Sequence, residues 1–160
     1  MIMVRGRGLR SVIAAGAFEV EPCAGGRSGQ CVQQQAGAVQ LMGRAGTQHS
    51  FGPAGINEYY LQVSSNGAWS IVRNTTSHTL TTLASGTVAA LGTGTWHHLA
   101  LTFNGTTISA AIDGTTVGSA TDGTYHSGMV GLGTSGYQSD QFDNLSVTLV
   151  GSATPTGQLP

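Results

Sequence analysis

From Ala38 onward, apolar residues recur at every second position in short runs, and glycine, asparagine, aspartate and serine separate these runs. Successive side chains of a β-strand point to opposite faces, so this period is typical of half-buried antiparallel strands. No stretch keeps apolar residues at helical spacing for long enough to predict a helix. The pattern predicts strands at 38–45, 57–64, 67–74, 78–84, 86–91, 95–104, 106–113, 128–133 and 141–149.

Three short turn sequences predict hairpins between neighbouring strands. They are Ser65-Asn66-Gly67, Asn104-Gly105 and Asp113-Gly114, and each contains residues that suit a two-residue turn. Around Asn104-Gly105, large apolar residues alternate along the first strand and smaller ones along the second, so the two rows are expected to pack side by side across the hairpin. The rows are Leu99, Leu101 and Phe103 on one strand and Ile108, Ala110 and Ile112 on the other.

Composition supports one all-β domain and excludes several partners. The chain has 160 residues, 25 glycines and only 8% charged residues, which favours short strands and tight turns. It has no lysine and a formal net charge of -1, too little positive charge for binding a nucleic acid backbone. No apolar run approaches the roughly 20 residues of a transmembrane helix.

We expect the domain at 18–149, a flexible N-terminal segment, fragment end or weak leader at 1–17, and a linker or disordered tail at 150–160.

The two cysteines, Cys23 and Cys31, lie close together in a Gly/Ser/Arg segment. Their spacing would close a small disulfide ring in an oxidising compartment, and two free thiols are the alternative. No second Cys or His pair lies nearby at the spacing of a zinc site.

The sequence gives little evidence for a catalytic site. A glycoside hydrolase needs two carboxyl groups flanking the scissile bond, and the nearest pair, Glu19 and Glu21, lies beside Pro22 at a strand end, where solvated charges are expected. The adjacent His97 and His98 point to opposite faces of a strand and cannot chelate one ion. Hydrolysis by this chain alone is not expected.

Asp143 shares a predicted strand face with Leu145 and Val147, so its carboxylate is aimed toward the interior. A buried carboxylate needs a cation, an arginine or several N–H donors. A structural calcium ion would meet this need, with Glu19 or Glu21 as the acidic co-ligand, and a capped strand end is the alternative.

Carbohydrate recognition needs aromatic platforms close to planar polar groups. One such cluster is predicted in loops of the C-terminal half, and Trp69 with Tyr60 is a second candidate. The first cluster consists of Tyr125, His126, Tyr137 and Gln138. Packing of these aromatic rings on the faces of the sheets is the structural alternative.

An ordered set of motifs runs through the second half of the chain. They are WH-x-L-x-L-x-F-x-G (Trp96 to Gly105), I-D-G (Ile112 to Gly114), D-x-T-Y (Asp122 to Tyr125), G-M-V-G-L-G (Gly128 to Gly133) and Q-F-D-N (Gln141 to Asn144). With these motifs, 83–149 resembles the C-terminal lectin-like domain of galactocerebrosidases, glycoside hydrolases that remove galactose from galactosylceramide. FEVEPCAGGRSGQC and the strand with Gly43-Arg44 look similar to the start of that domain. Laminin-G-like and other concanavalin-like modules share the WH-x-L strand and the final FDN.

The resemblance implies a concanavalin-like jelly-roll β-sandwich without catalytic residues of its own. In the family the catalytic glutamates belong to a separate TIM barrel, and the lectin-like domain helps to shape the substrate cleft and binds calcium, for which Asp143 is the ligand carried over. One departure is that VQQQAGAVQLM joins Cys31 directly to Gly43, where further strands would be expected. The sandwich would then be shortened or have an open sheet edge.

The leading hypothesis is a secreted, non-catalytic accessory domain that binds carbohydrate or glycolipid, or docks on a catalytic TIM barrel. The alternative is a structural or adhesive laminin-G-like module of an unrelated secreted protein.

Overall fold

The structure, a computed structural model, describes residues 2–4, 15–19, 37–46, 55–135 and 140–148. These residues form eleven strands and no helix. The strands are β1 Ile2–Val4, β2 Ala15–Glu19, β3 Ala38–Ala45, β4 Glu58–Ser64, β5 Ala68–Asn74, β6 Leu80–Thr87, β7 His98–Asn104, β8 Thr107–Ile112, β9 Thr115–Thr121, β10 Met129–Ser135 and β11 Asp143–Thr148.

The strands form two antiparallel sheets that pack face to face, which confirms the predicted β-sandwich. The order in the six-stranded sheet is β1-β10-β3-β4-β5-β6, and the order in the five-stranded sheet is β11-β2-β7-β8-β9. Strands β1 and β2 lie within or across the segment expected to be a flexible end, whereas 150–160 lies outside the described residues. No helix among the described residues is long and apolar enough to cross a bilayer.

Two strand predictions were wrong in their bounds. The expected strands 78–84 and 86–91 are one strand, β6, because its pairing with β5 continues through Ser85 and Gly86, and the strand ends at Thr87. Strand β9 was missed because it lies at a sheet edge and is rich in threonine, glycine and serine, so it carries little apolar alternation.

The core lies between the sheets and receives alternate side chains from both. Leu99 pairs with Ile112, Leu101 with Ala110 and Phe103 with Ile108, as the hairpin pattern predicted. The largest fully buried side chains come from β3, β4, β5, β7 and β8: Leu41, Tyr59, Leu61, Ile71, Leu99, Leu101, Phe103 and Ile108.

Two close approaches of backbone to aromatic rings fix how the sheets meet. The Trp69 indole packs against Gly86 of the same sheet and Gly118 of the opposite sheet, where side chains would collide with it. Gly43 similarly leaves room for Phe103, and the Arg44 guanidinium carbon lies 4.6 Å from the centroid of the same ring. Arg44 is buried and donates hydrogen bonds to the carbonyl oxygens of Tyr125 (2.9 Å) and Gly105 (2.7 Å).

The three predicted hairpins are present, with one turn longer than expected. Asp113-Gly114 is a two-residue turn with positive φ at both residues (50° and 77°). The turn after β7 is Gly105-Thr106, because Asn104 still pairs with Thr107. Residues 65–67 form a three-residue loop between β4 and β5, with Gly67 at φ 86°, which corrects the two-residue expectation.

Candidate functional site

A row of polar side chains crosses the outer face of the six-stranded sheet. Gln40 on β3 pairs in register with Gln62 on β4, Gln62 with Ser70 on β5, and Ser70 with Ser85 on β6. Leu61, Val63 and their in-register partners point into the core, so the alternate residues of this row point outward. The row therefore carries amide and hydroxyl groups across four neighbouring strands.

Two shallow depressions lie side by side on this row. The first has a volume of about 410 Å³ and is lined mainly by Gln62, Ser64, Ala68, Ser70, Ser85 and Thr87. The second has a volume of about 380 Å³ and is lined mainly by Ala38, Gln62, Ser64, Ser65, Asn66 and Ser135. Gln62 and Ser64 line both depressions, so the two form one groove, which we call the β3–β6 groove. None of its lining residues is charged.

A side-chain hydrogen bond holds the central glutamine of the β3–β6 groove. The Gln40 amide nitrogen donates to the Gln62 amide oxygen at 2.9 Å. Because that oxygen is already engaged, the NH₂ group of Gln62 is left to donate to a ligand. The serine hydroxyls beside it can donate and accept. Small residues, Ala38, Ala68 and Gly86, provide the space that makes the groove concave.

The other end of the same sheet face is buried, with an apolar cluster beside two polar residues. Met42, Tyr60 and Val72 form a separate buried cluster. Next to it lies the buried Glu58, whose carboxylate accepts a 3.4 Å hydrogen bond from the Asn74 amide. Burial raises the pKa of Glu58, and the hydrogen bond from Asn74 only partly offsets this effect. Among the described residues, the second carboxylate oxygen of Glu58 and the amide oxygen of Asn74 have no hydrogen-bond partner.

The structure describes half of the first predicted aromatic cluster and both members of the second. Tyr125 is half-buried against the core, and its hydroxyl donates to the carbonyl oxygen of Asn74 at 3.0 Å. His126 beside it is exposed, whereas Tyr137 and Gln138 lie outside the described residues. Trp69 belongs to the core and Tyr60 to the cluster on the outer face, so these two rings do not form a common platform.

The segment around Tyr125 is held by a polar cluster that joins the two sheets. Asp122, just after β9, accepts hydrogen bonds from Tyr59 (2.5 Å) and from Arg73 (2.5 Å), which is also its ion-pair partner. The backbone N–H of Thr124 donates to the same carboxylate at 2.8 Å. Burial alone would raise the pKa of Asp122, but hydrogen bonds from Thr124 and Tyr59 and the charge of Arg73 outweigh it and lower the pKa to about 2.

The expectation that His97 and His98 share a strand was wrong, because β7 begins at His98 and His97 lies in the loop before it. Both ring nitrogens of His97 are engaged, Nδ1 with the Asp113 carboxylate at 2.8 Å and Nε2 with the carbonyl oxygen of Leu91 at 3.1 Å. The backbone N–H of His98 donates to the same carboxylate at 2.9 Å. His97 therefore ties the loop before β7 to the Asp113-Gly114 turn and serves the structure.

The backbone brings the two predicted metal ligands opposite each other. Asp143 on β11 pairs in register with Glu19 on β2, although these residues are far apart in the sequence. Three residues before Asp143, the carboxylate of Asp140 has a buried oxygen that finds no hydrogen-bond partner in the described part of the chain, and burial raises the pKa of this group. Within the parts of the chain that the structure describes, no group of three or more His, Cys, Asp or Glu side chains is placed to hold a metal. Cys23 and Cys31 lie outside those parts.

Sequence reasoning missed the residues of the β3–β6 groove. Gln40 and Gln62 occupy the outward positions of alternating strands, which is the ordinary place for any solvated residue. A local signal does exist, since both strands place an uncharged amide where charged side chains are common. The sequence signal could not show that the Gln40 and Gln62 amides are neighbours.

The solved structures similar to this chain include a carbohydrate binding module and a galectin. Carbohydrate binding module CBM66 from Bacillus subtilis has a TM-score of 0.61 at 16% sequence identity, over 85% of this chain and 76% of that chain. Sheep galectin-11, solved in complex with glycerol, has a TM-score of 0.58 at 8% identity, over 92% of this chain and 95% of that chain. At these identities the likeness concerns the fold alone. No curated protein matches the chain.

The sequence itself matches a family over most of its length. Residues 32–150 fit the family described as "Galactocerebrosidase, C-terminal lectin domain". The matched range contains the motifs from Trp96 to Asn144 that carried the resemblance. The chain therefore belongs to the family of galactocerebrosidase C-terminal lectin domains.

Proposed function

We propose that this chain is a secreted, non-catalytic carbohydrate-recognition module of a galactocerebrosidase-type glycoside hydrolase. Family membership carries the proposal, and the β3–β6 groove supports it, because uncharged amides and hydroxyls suit a ligand rich in hydroxyl groups. Similar folds also occur in a carbohydrate binding module and in a galectin bound to glycerol, itself a polyol. The family match favours this function over that of an unrelated structural module.

The purified chain should bind a subset of neutral glycans on a glycan array. It should not release galactose from a galactoside, because the catalytic carboxylates are expected on a separate TIM barrel. Absence of binding to every glycan, with and without calcium, would contradict the lectin function. Release of galactose by the chain alone would contradict the non-catalytic role.

In the complete enzyme, we expect the module to hold a galactoside or glycolipid near the catalytic barrel. A barrel of this family should therefore turn over galactosylceramide faster when joined to the module than when expressed without it. Equal KM and kcat for the two forms on a membrane-bound lipid substrate would contradict this accessory role.

Calcium is the proposed structural ion. Asp143 and Glu19 are placed opposite each other, and the unpartnered buried oxygen of Asp140 fits a site that needs oxygen ligands. When bound, calcium would neutralise these carboxylates. The residues that hold the ion would strengthen the pairing of β11, the edge strand of the five-stranded sheet, with its neighbour β2.

Calcium should raise the melting temperature of the wild-type chain, and Asp143→Ala should abolish that rise. The measurement is thermal unfolding in calcium and in a chelator, with Asp113→Ala as the control because Asp113 pairs with His97 elsewhere. An equal loss of stability for Asp143→Ala in both conditions would overturn the metal proposal.

A further inference from the structure

The β3–β6 groove has a shape and chemistry that go beyond a general ability to bind sugar. Its two depressions, of about 410 and 380 Å³, lie on opposite sides of Gln62 and Ser64 and share these two residues. Each volume falls within the range of small-molecule sites, about 300–1,000 Å³. A ligand that fills only the second depression would not reach Ser70 and Ser85, and one that fills only the first would not reach Ser135.

The direction of the groove follows from the strand register. The row Gln40, Gln62, Ser70 and Ser85 crosses four neighbouring strands. With neighbouring strands about 4.8 Å apart, the row extends over roughly 14 Å. An extended ligand would therefore lie across the strands rather than along one of them.

The absence of charged side chains in the groove limits the chemical class of ligand that can bind there. No lining residue carries a charge, so nothing would offset the cost of desolvating an acidic or basic group. The wall is also poor in exposed apolar side chains, because Trp69 is only 8% exposed and its ring packs against Gly86 and Gly118. Binding must therefore rest on hydrogen bonds to a hydroxyl-rich ligand and not on the aromatic platform expected from the sequence. This excludes an apolar peptide or an acyl chain as the ligand.

We propose that the β3–β6 groove binds a neutral glycan segment of two or more sugars, with one sugar in each depression and Gln62 between them. The hydrogen bond from Gln40 occupies the Gln62 oxygen and turns the Gln62 NH₂ group toward the ligand. Gln62 then donates to an oxygen near the glycosidic linkage. Ser70 and Ser85 contact one sugar, and Ser64 and Ser135 contact the other. This inference rests on the proposed carbohydrate function and assigns its location and ligand class.

The experiment is an NMR titration of the whole chain with galactose, galactobiose, galactotriose and a digalacturonic acid of matched length. Galactobiose should bind at least tenfold more tightly than galactose, and the acidic disaccharide should bind at least tenfold more weakly than galactobiose. Amide shifts should concentrate on β3, β4, β5, β6 and the end of β10 at Ser135. Equal affinity for galactose and galactobiose, or shifts confined to other strands, would overturn the proposal.

Two groove variants and one control variant separate the groove assignment from the general carbohydrate-binding function. Gln62→Ala should weaken galactobiose binding about fivefold to tenfold, since it removes one ligand hydrogen bond. Ser70→Arg should abolish binding by filling the first depression, whereas Ser109→Arg places the same side chain on the outer face of the other sheet and should leave binding unchanged. Thermal melting of all three variants reports whether they fold.

The outcomes distinguish this inference from the function on which it rests. If the wild-type chain binds glycans and folded Ser70→Arg binds them equally well, the groove assignment is overturned and the lectin function stands. If the wild-type chain binds no glycan on the array or in the titration, both fail. If Ser109→Arg loses binding to the same extent as Ser70→Arg, the site lies elsewhere and the groove assignment is overturned.

Discussion

At the scale of single residues, stability depends on a few buried polar groups whose partners come from distant strands. The Asp122 carboxylate accepts hydrogen bonds from Tyr59 and Arg73. Glu58 is the opposite case, since one of its carboxylate oxygens is buried and has no hydrogen-bond partner within the ranges that the structure describes. The two acids therefore respond to pH in opposite directions.

Asp122 should stabilise the protein at neutral pH and lose this effect in acid. Its folded pKa of about 2 lies below its ordinary value of 3.8, so the stabilisation is present above pH 4 and is lost as the pH falls toward 2. Asp122→Asn should lower the free energy of unfolding by about 2 kcal/mol at pH 7. Urea denaturation of both proteins at several pH values measures this difference.

The difference between wild type and Asp122→Asn should shrink between pH 4 and pH 2. Asp113→Asn is the control, because Asp113 is exposed in its turn and its loss should cost less. A difference for Asp122→Asn that does not change with pH would contradict the assignment of the low pKa.

Glu58 should lower stability once it ionises. Its pKa is raised in the folded state, so its contribution is most favourable in acid and is lost as the pH rises through the folded pKa. Glu58→Gln removes the charge and offers an N–H donor to the unpartnered Asn74 oxygen. We expect it to raise the free energy of unfolding by about 1 kcal/mol at pH 7, with little gain at pH 4. An equal gain at both pH values in urea denaturation would contradict this explanation.

At the scale of elements, the β4–β5 hairpin supports the loop that precedes β7. The carbonyl oxygen of Gly67 accepts a 2.9 Å hydrogen bond from Val88, and that of Ser65 accepts a 2.8 Å bond from Gly92. The backbone of Val88 and Ala89 lies so close to Gly67 that no side chain fits there. The hairpin loop also borders the second depression through Ser65 and Asn66.

Gly67→Ala should therefore destabilise the hairpin and its docked loop, by about 2 kcal/mol or more. Gly92→Ala is a matched control, because Gly92 also has a positive φ (77°) but no atom lies within 4 Å of an added Cβ. Thermal unfolding should show a larger loss for Gly67→Ala. Equal losses would mean that backbone strain alone matters and that the contact with Val88 does not.

At the scale of the whole molecule, Trp69 connects the two sheets at the edge formed by β6 and β9. Its ring occupies the space left by Gly86 on one sheet and Gly118 on the other. The same strand, β5, carries Ser70 on its outer face. The position of Trp69 in the core thus helps to determine the shape of the β3–β6 groove.

Gly118→Ala should push β9 away from Trp69 and lower the free energy of unfolding by about 1–3 kcal/mol. Ser119→Ala is the control, because Ser119 is exposed on the same strand. Chemical denaturation of the two variants measures the difference. Comparable small effects of both changes would indicate that β9 can shift without loss of stability. Trp69 would then not fix the distance between the sheets.

The sequence by itself determined the local structure. The period-two alternation predicted most strands, the all-β class and the pairing of Leu99, Leu101 and Phe103 with Ile108, Ala110 and Ile112, because the side-chain direction in a strand and a tight hairpin depend on nearby residues. The motifs from Trp96 to Asn144 identified the family, which the match over residues 32–150 confirmed. Edge strand β9 was missed because its few apolar residues give no clear period.

Only the tertiary structure decided which distant strands are neighbours. It placed β10 beside β3 and β11 beside β2, which brought Asp143 opposite Glu19. It also placed Trp69 in the core and aligned Gln40, Gln62, Ser70 and Ser85 in one row. The physical reason is that strand order depends on the packing of two whole sheets, and the outward side chains that form the groove contribute little to that packing.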